Sequence, residues 1–180
     1  MRILTDKATA LVIDIQERLF PHIDQHGRLA QNTVILMRGL RELGIPLIAT
    51  EQYSKGLGPT ITPVREQLGE TPVIEKMTFS CCDAAAVTGE LENLQRNQVI
   101  VFGIEAHVCV LQTTLDLLDL GYQPVVIADC ISSRKAEDKQ TALQRMRQSG
   151  AVISTYESIL FELCRVAGTE TFKSISKLVK

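Results

Sequence analysis

Cys109 stands in Gly103-Ile104-Glu105-Ala106-His107-Val108-Cys109-Val110, where an aliphatic run, Val99 to Phe102, gives way to a helix-period segment. A thiol in the first turn of a helix lies at the positive end of the helix dipole. That position favours thiolate, the form that attacks carbon. Two charged residues close two other strand-like runs. Asp14 does so in Leu11-Val12-Ile13-Asp14-Ile15-Gln16, and Lys76 in Pro72-Val73-Ile74-Glu75-Lys76. An Asp inside an apolar run is costly to bury without a partner. An acid, a base and a thiol at strand ends suggest a cysteine hydrolase. Each also has a plainer reading. Cys109 fits a small buried hydrophobe, Asp14 a cap or structural acceptor, and Lys76 a solvated cation.

Other chemically equipped residues are weaker candidates. His107 is two positions before Cys109, about 200° around a helix, so the two side chains should diverge rather than form a dyad. His22, Asp24 and His26 alternate, but Pro21 and Gly27 bracket them, and a polar loop fits better than a metal site. Cys81, Cys82, Cys130 and Cys164 read as packing residues, with Cys81 and Cys82 the two that could lie near a pocket. Gly56 and Gly58 read as turn glycines, with a mobile lid or anion-contacting loop as the alternative.

These residues need a scaffold, and the chain alternates aliphatic runs with helix-period segments. Strands are expected at Ala10 to Ile15, Pro46 to Thr50, Val73 to Glu75, Val99 to Phe102, Pro124 to Ala128 and Ala151 to Ser154. Most lack polar alternation, as parallel strands covered on both faces do. Helices are expected at Leu29 to Leu43, at Ala84 to Leu94 behind an Asp83 cap, and as one continuous helix from Ala106 to Leu120. Further helices are expected at Ala136 to Gln148, after a Ser154-x-x-Glu157 capping box, and after Thr169. Residues 51–63 read as the longest irregular stretch, a length often tied to function. The pattern predicts a doubly wound, Rossmann-like α/β fold, a three-layer sandwich with a six-stranded parallel sheet. Ligands in such sheets bind at the carboxyl ends of the strands, near a topological switch. Asp14, Lys76 and Cys109 all fall there. The turn after the first strand, Gln16-Glu17-Arg18-Leu19-Phe20, has no glycine, and no Gly-Lys-Ser/Thr follows Gly58. Dinucleotide and P-loop chemistry are therefore excluded.

The 180 residues suffice for one substantial core and are too few for two ordinary domains, so residues 1–180 are read as a single domain. Apolar residues make up 45% and charged residues 22%, with a net charge of −2. No run of Lys or Arg marks a basic face, so neither nucleic acid nor an anionic membrane is expected as a partner. No apolar stretch has the length of a membrane span. Five cysteines, an odd count, with no export signal, point to reduced thiols in a cytoplasmic setting.

The whole chain resembles the isochorismatase-like cysteine hydrolases. Three motifs carry the resemblance: Leu11-Val12-Ile13-Asp14-Ile15-Gln16, Glu75-Lys76-Met77-Thr78-Phe79-Ser80, and Gly103 to Val110. The loop Gln52-Tyr53-Ser54-Lys55-Gly56-Leu57-Gly58 is similar to that of small isochorismatase-domain proteins. The resemblance implies an Asp14, Lys76 and Cys109 triad. It also implies a cis peptide between Ile104 and Glu105, and an oxyanion hole made by the N–H groups of Glu105 and Cys109. Phe20, Gln52, Tyr53 and Phe79 are expected as walls of a substrate pocket. Metal-containing nicotinamidases of the superfamily carry Asp-x-His after the second strand. Here Glu51-Gln52-Tyr53 stands in that place, so neither metal nor cofactor is expected. Retention of the cysteine favours acyl chemistry on a small amide, imide or ureido compound over vinyl ether cleavage. A non-catalytic binding or scaffold protein with a vestigial site, and a redox-sensing thiol, are the remaining readings. The resemblance also implies a homo-oligomer.

Overall fold

In a computed structural model describing all 180 residues, the sheet is six-stranded and parallel. Its strands are β1 (Ala8–Ile13), β2 (Leu47–Gln52), β3 (Val73–Lys76), β4 (Gln98–Ile104), β5 (Gln123–Ser132) and β6 (Val152–Ser154). Their order is β3-β2-β1-β4-β5-β6, with every ladder parallel. Every residue of β1 and β4 is buried, as expected for central strands covered on both faces.

The helices are α1 (His26–Glu42), α2 (Ser54–Leu57), α3 (Thr62–Leu68), α4 (Ala85–Leu94), α5 (Leu111–Asp119), α6 (Ala136–Gln148), α7 (Tyr156–Cys164) and α8 (Glu170–Leu178). Right-handed crossovers running outward from β1 toward β3, and from β4 toward β6, put their helices on opposite faces. Accordingly α1 packs against α3, α7 and α8, while α5 packs against α6. One apolar cluster of 43 buried residues runs from Ile3 to Ile175. No helix is long and apolar enough to cross a membrane. The winding reverses between β1 and β4, so a crevice opens at their carboxyl ends.

Local differences from the sequence expectation have identifiable causes. Residues 51–63 are not irregular throughout. They hold α2 and the start of α3, which opens with Pro63 in its first turn. Helices this short give too little periodicity to detect. The segment expected as one helix from Ala106 to Leu120 starts as a π-helical turn, Ala106–Val110, and becomes α-helical at Leu111. Asp83 does not cap α4, whose first flanking residue is Ala84 without a side-chain cap. The cap of α7 is Thr155, one residue beyond Ser154, and its hydroxyl accepts the Ser158 N–H at 3.4 Å. Thr169 caps α8 as expected, accepting the Phe172 N–H at 3.0 Å.

Candidate active site

Asp14 follows the last residue of β1 and turns the chain with φ of 51°. This left-handed conformation is one that Asp tolerates better than most residues. Its side chain is buried, and both carboxylate oxygens are engaged. Thr50 Oγ1 on β2 donates to Oδ1 at 2.7 Å, and Lys76 Nζ donates to Oδ2 at 2.6 Å. Lys76 ends β3 and is itself buried. Its other two N–H bonds go to the carbonyls of Thr78 at 3.1 Å and Phe79 at 3.0 Å. All three donors of the ammonium are thus assigned, and Lys76 is a fixed cation. Burial is the largest single effect and works against its charge, but the Asp14 carboxylate together with Cys81 and Cys109 outweighs it, and its pKa lies above the ordinary value.

Cys109 reaches the same spot from the π-helical turn, with 4% exposure. Its Sγ donates to Gln52 Oε1 at 3.4 Å. Burial pushes this thiol well above its usual range. The Asp14 carboxylate raises it further, and the Lys76 charge only partly opposes both. The resting group is therefore a neutral thiol beside a carboxylate, in contrast to the thiolate expected from the helix dipole. Burial and the neighbouring Asp14 carboxylate set that state. Cys81 is also fully buried here, 3.8 Å from Thr50 Oγ1, and burial raises its pKa to about 11.

The backbone around Cys109 is unusual. The Ile104–Glu105 peptide is cis. The N–H groups of Val108 and Val110, on either side of Cys109, both donate to the Glu105 carbonyl, at 3.1 and 3.2 Å. The Glu105 N–H makes no hydrogen bond within the chain. Its carboxylate is buried and accepts from the N–H and Nε of Arg134 at 3.0 and 3.1 Å. Gly103 has φ of 131°, and a Cβ there would overlap the Ile13 carbonyl oxygen and lie 2.7 Å from the Ile13 nitrogen. Only glycine lets β4 approach β1 this closely, and that approach sets Cys109 beside Asp14.

The other anticipated residues separate into two groups. Gln52 is drawn to the sulfur. Tyr53 and Phe79 stand on the rim, about half exposed, and the Tyr53 ring lies against Gly56. Phe20 instead packs edge-on against His26, with ring centroids 5.2 Å apart. His107 turns to Ser133 Oγ at 2.9 Å and toward Asp138. His22, Asp24 and His26 do not converge into a cluster able to hold a metal ion.

Sequence reasoning assigned no role to Gln16 or Thr50. Gln16 is fully buried. Its side chain accepts the Gln52 N–H at 2.8 Å and donates to the carbonyls of Gln52 at 3.0 Å and Gly58 at 2.7 Å. Arg18 adds bonds to the carbonyls of Lys55 and Gly56. The 51–63 segment is thereby strapped to the chain that follows β1. Gln16 ends the first motif, so a buried amide was already visible there. Thr50 required the register Ile13↔Thr50.

The comparisons agree with this geometry. Residues 8–158 match the isochorismatase domain family. The chain belongs to the isochorismatase family. It is 39% identical to isochorismatase family protein 1B of Dictyostelium discoideum, over 99% of this chain and 89% of that one. It is equally identical to mouse isochorismatase domain-containing protein 2A, covering 99% and 85%. Among solved structures, a MAR1 ribonuclease from Caenorhabditis elegans superposes with a TM-score of 0.94 at 37% identity, over 99% and 92% of the two chains. The Escherichia coli YcaC gene product, an octameric hydrolase of unknown specificity, shares the fold at 21% identity with a TM-score of 0.94, over 99% and 90%. The isochorismatase-family hydrolase fold is thus common to proteins of several names.

Proposed function

We propose that this isochorismatase-family chain is a metal-independent cysteine hydrolase. It cleaves the C–N bond of a small amide, imide or ureido compound through a thioester on Cys109. The observation that carries the reading is the buried Lys76–Asp14 pair at 2.6 Å with the Cys109 thiol beside it. Asp14 accepts the thiol proton as sulfur attacks the carbonyl carbon, so thiolate need not accumulate beforehand. The developing oxyanion is met by the N–H groups of Glu105 and Cys109. The unpartnered Glu105 N–H supports this role. Asp14 returns the proton to the leaving nitrogen as the C–N bond breaks. Water then gives a proton to Asp14 and attacks the thioester, releasing the acid and the free thiol.

Lys76 holds the Asp14 charge in place throughout, and Gln52 orients the sulfur. Tyr53 and Phe79 supply apolar rim surface for a small substrate, with Phe20 further out. Metal independence is supported at the position where metal-containing relatives carry Asp-x-His. There the Glu51 carboxylate is already occupied by the Thr60 N–H at 2.6 Å and its hydroxyl at 2.7 Å. The exposed Tyr53, Met77 and Phe79 beside the site support a homo-oligomer, and the five free thiols support work in a reducing, cytoplasmic compartment. The ribonuclease name of the nematode neighbour makes RNA a necessary control. A net charge of −2 and the lack of any run of Lys or Arg weigh against RNA as the substrate.

The test is a panel of small amides, imides, ureido compounds, a vinyl ether and an RNA oligonucleotide. Acid quenching and intact-mass spectrometry follow. An acyl adduct on Cys109 with a C–N substrate, absent in Cys109→Ala, is the expected result. Turnover of any substrate by Cys109→Ala at the native rate would remove the mechanism.

A further inference from the structure

A cavity of about 310 Å³ has none of Asp14, Lys76 and Cys109 in its lining. It lies between the start of α1, the end of β5, α6 and the Thr155 cap, and Asp24, Arg28, Asp129 and Lys139 line it. Its floor is an irregular strand. The β4–β5 register pairs Val101 with Val126 and then Gly103 with Ile131, so the β5 segment between those points bulges out of the ladder. The bulge is firmly held. The Asp129 carbonyl accepts from Asn32 Nδ2 at 2.9 Å, and its carboxylate accepts the Tyr156 N–H at 2.9 Å. The facing wall is cross-tied as well. Ser132 Oγ donates to the Asp24 carbonyl at 2.9 Å, and the Asp24 N–H donates to the Ser133 carbonyl at 2.9 Å.

Two carboxylates and two cations border this one space, yet none of them is paired. No ion pair within 4.0 Å joins Asp24 or Asp129 to Arg28 or Lys139. The four still sense one another. Burial raises Asp129 and lowers Lys139, and the opposite charges across the cavity partly offset both shifts. Asp24, Asp129 and Lys139 are partly buried, and partly buried charges that do not reach a counter-charge are under-solvated. A void of this size is within the range of small-ligand pockets. The four groups sum to zero charge, so a lone anion or cation would meet as much repulsion as attraction. A molecule carrying both signs would pair with all four groups.

We propose that this cavity binds a small zwitterion of amino-acid size. Its carboxylate sits on Arg28 and Lys139, and its ammonium sits on Asp24 and Asp129. The site is separate from the Cys109 crevice and needs no assumption about the reaction there. Beyond the cavity β5 leads to Ser133 and Arg134, which hold His107 and Glu105.

Isothermal titration calorimetry of the full chain with glycine, β-alanine and γ-aminobutyrate tests the proposal, with propylamine and propionate as singly charged controls. At least one zwitterion should bind with a Kd below about 1 mM, and the controls about tenfold more weakly or worse. Lys139→Met should weaken binding by at least about tenfold, the effect of losing one charge-assisted bond. The exposed Arg28→Met, which puts no folding contact at risk, should do the same. Cys109→Ala should leave affinity unchanged. Three outcomes would each overturn the proposal. They are no zwitterion bound at about 10 mM, affinity untouched by both cation variants, and binding lost in Cys109→Ala.

Discussion

Lys76→Met isolates the interaction on which the site depends. Asp14 is 1% exposed, and Lys76 is the cation bonded to it, at 2.6 Å. Removing the ammonium leaves a buried carboxylate with one neutral donor, Thr50. Breaking a buried pair from one side typically costs about 3–5 kcal/mol. The Thr78 and Phe79 carbonyls also lose their donor, which favours the upper part of that range. For a chain of this size each kcal/mol lowers Tm by roughly 2–4 °C. Urea unfolding followed by circular dichroism at pH 7.5, with Asp14→Asn and the double variant completing the cycle, measures the coupling. A loss under about 1 kcal/mol would mean that the pair is not a desolvated ion pair.

Three other outcomes follow from the same geometry. Thr50→Val removes the 2.7 Å bond to Asp14 Oδ1. It should cost about 1.5–3 kcal/mol, the usual worth of a hydrogen bond to a charged group, measured by the same urea midpoints. Gly103→Ala forces a Cβ onto the Ile13 backbone at a φ that disfavours alanine. The variant should be insoluble, or unfold at least about 3 kcal/mol more easily, by thermal denaturation. At alkaline pH the chain should lose stability from about pH 9 upward. The buried Cys81 thiol, raised to about 11, keeps its proton when folded after the unfolded thiol has released it. The loss is roughly 1 kcal/mol per pH unit for that thiol. The raised Lys76 adds to the decline only above its unfolded value, about 10.4. Burial also raises Cys82, Cys109 and Cys130, so replacing Cys81 by alanine should remove only its own share of the slope.

The sequence revealed the sheet because burial on both faces leaves uninterrupted aliphatic runs. Val99 to Phe102 and Ala10 to Ile13 need no knowledge of their neighbours to be read as strands. Short helices were illegible for the opposite reason. The Ser54–Leu57 turn buries no residue and leaves no periodic trace. The π-helical turn at Ala106–Val110 was read as α-helix because the two differ by one residue per turn over only five residues. The strap made by Gln16 was hidden because its partners, Gln52 and Gly58, are distant in sequence and are met through their backbones.

Asp14, Lys76 and Cys109 stood out by position as candidates, each with a plainer reading beside it, and the family resemblance joined them as a triad. Their ionisation was not legible. The dipole argument for a thiolate depends only on local sequence, whereas the burial that raises Cys109 depends on how tightly β1, β2 and β4 close over the sulfur. Gly103 controls that closeness, because a side chain there would separate β4 from β1 and admit water to the crevice. A drier crevice makes the thiol harder to ionise but strengthens every charge and dipole aimed at the reacting carbonyl. Under the proposed mechanism, the same close approach that protonates Cys109 at rest also brings Asp14 near enough to take that proton when a substrate arrives. The three residues then act as a proton-transfer unit rather than as a standing nucleophile. Iodoacetamide alkylation of the free enzyme, which reads thiolate, should be slow at pH 7, while acylation by a true substrate is fast. Rapid alkylation at neutral pH would reverse that order and restore the thiolate mechanism.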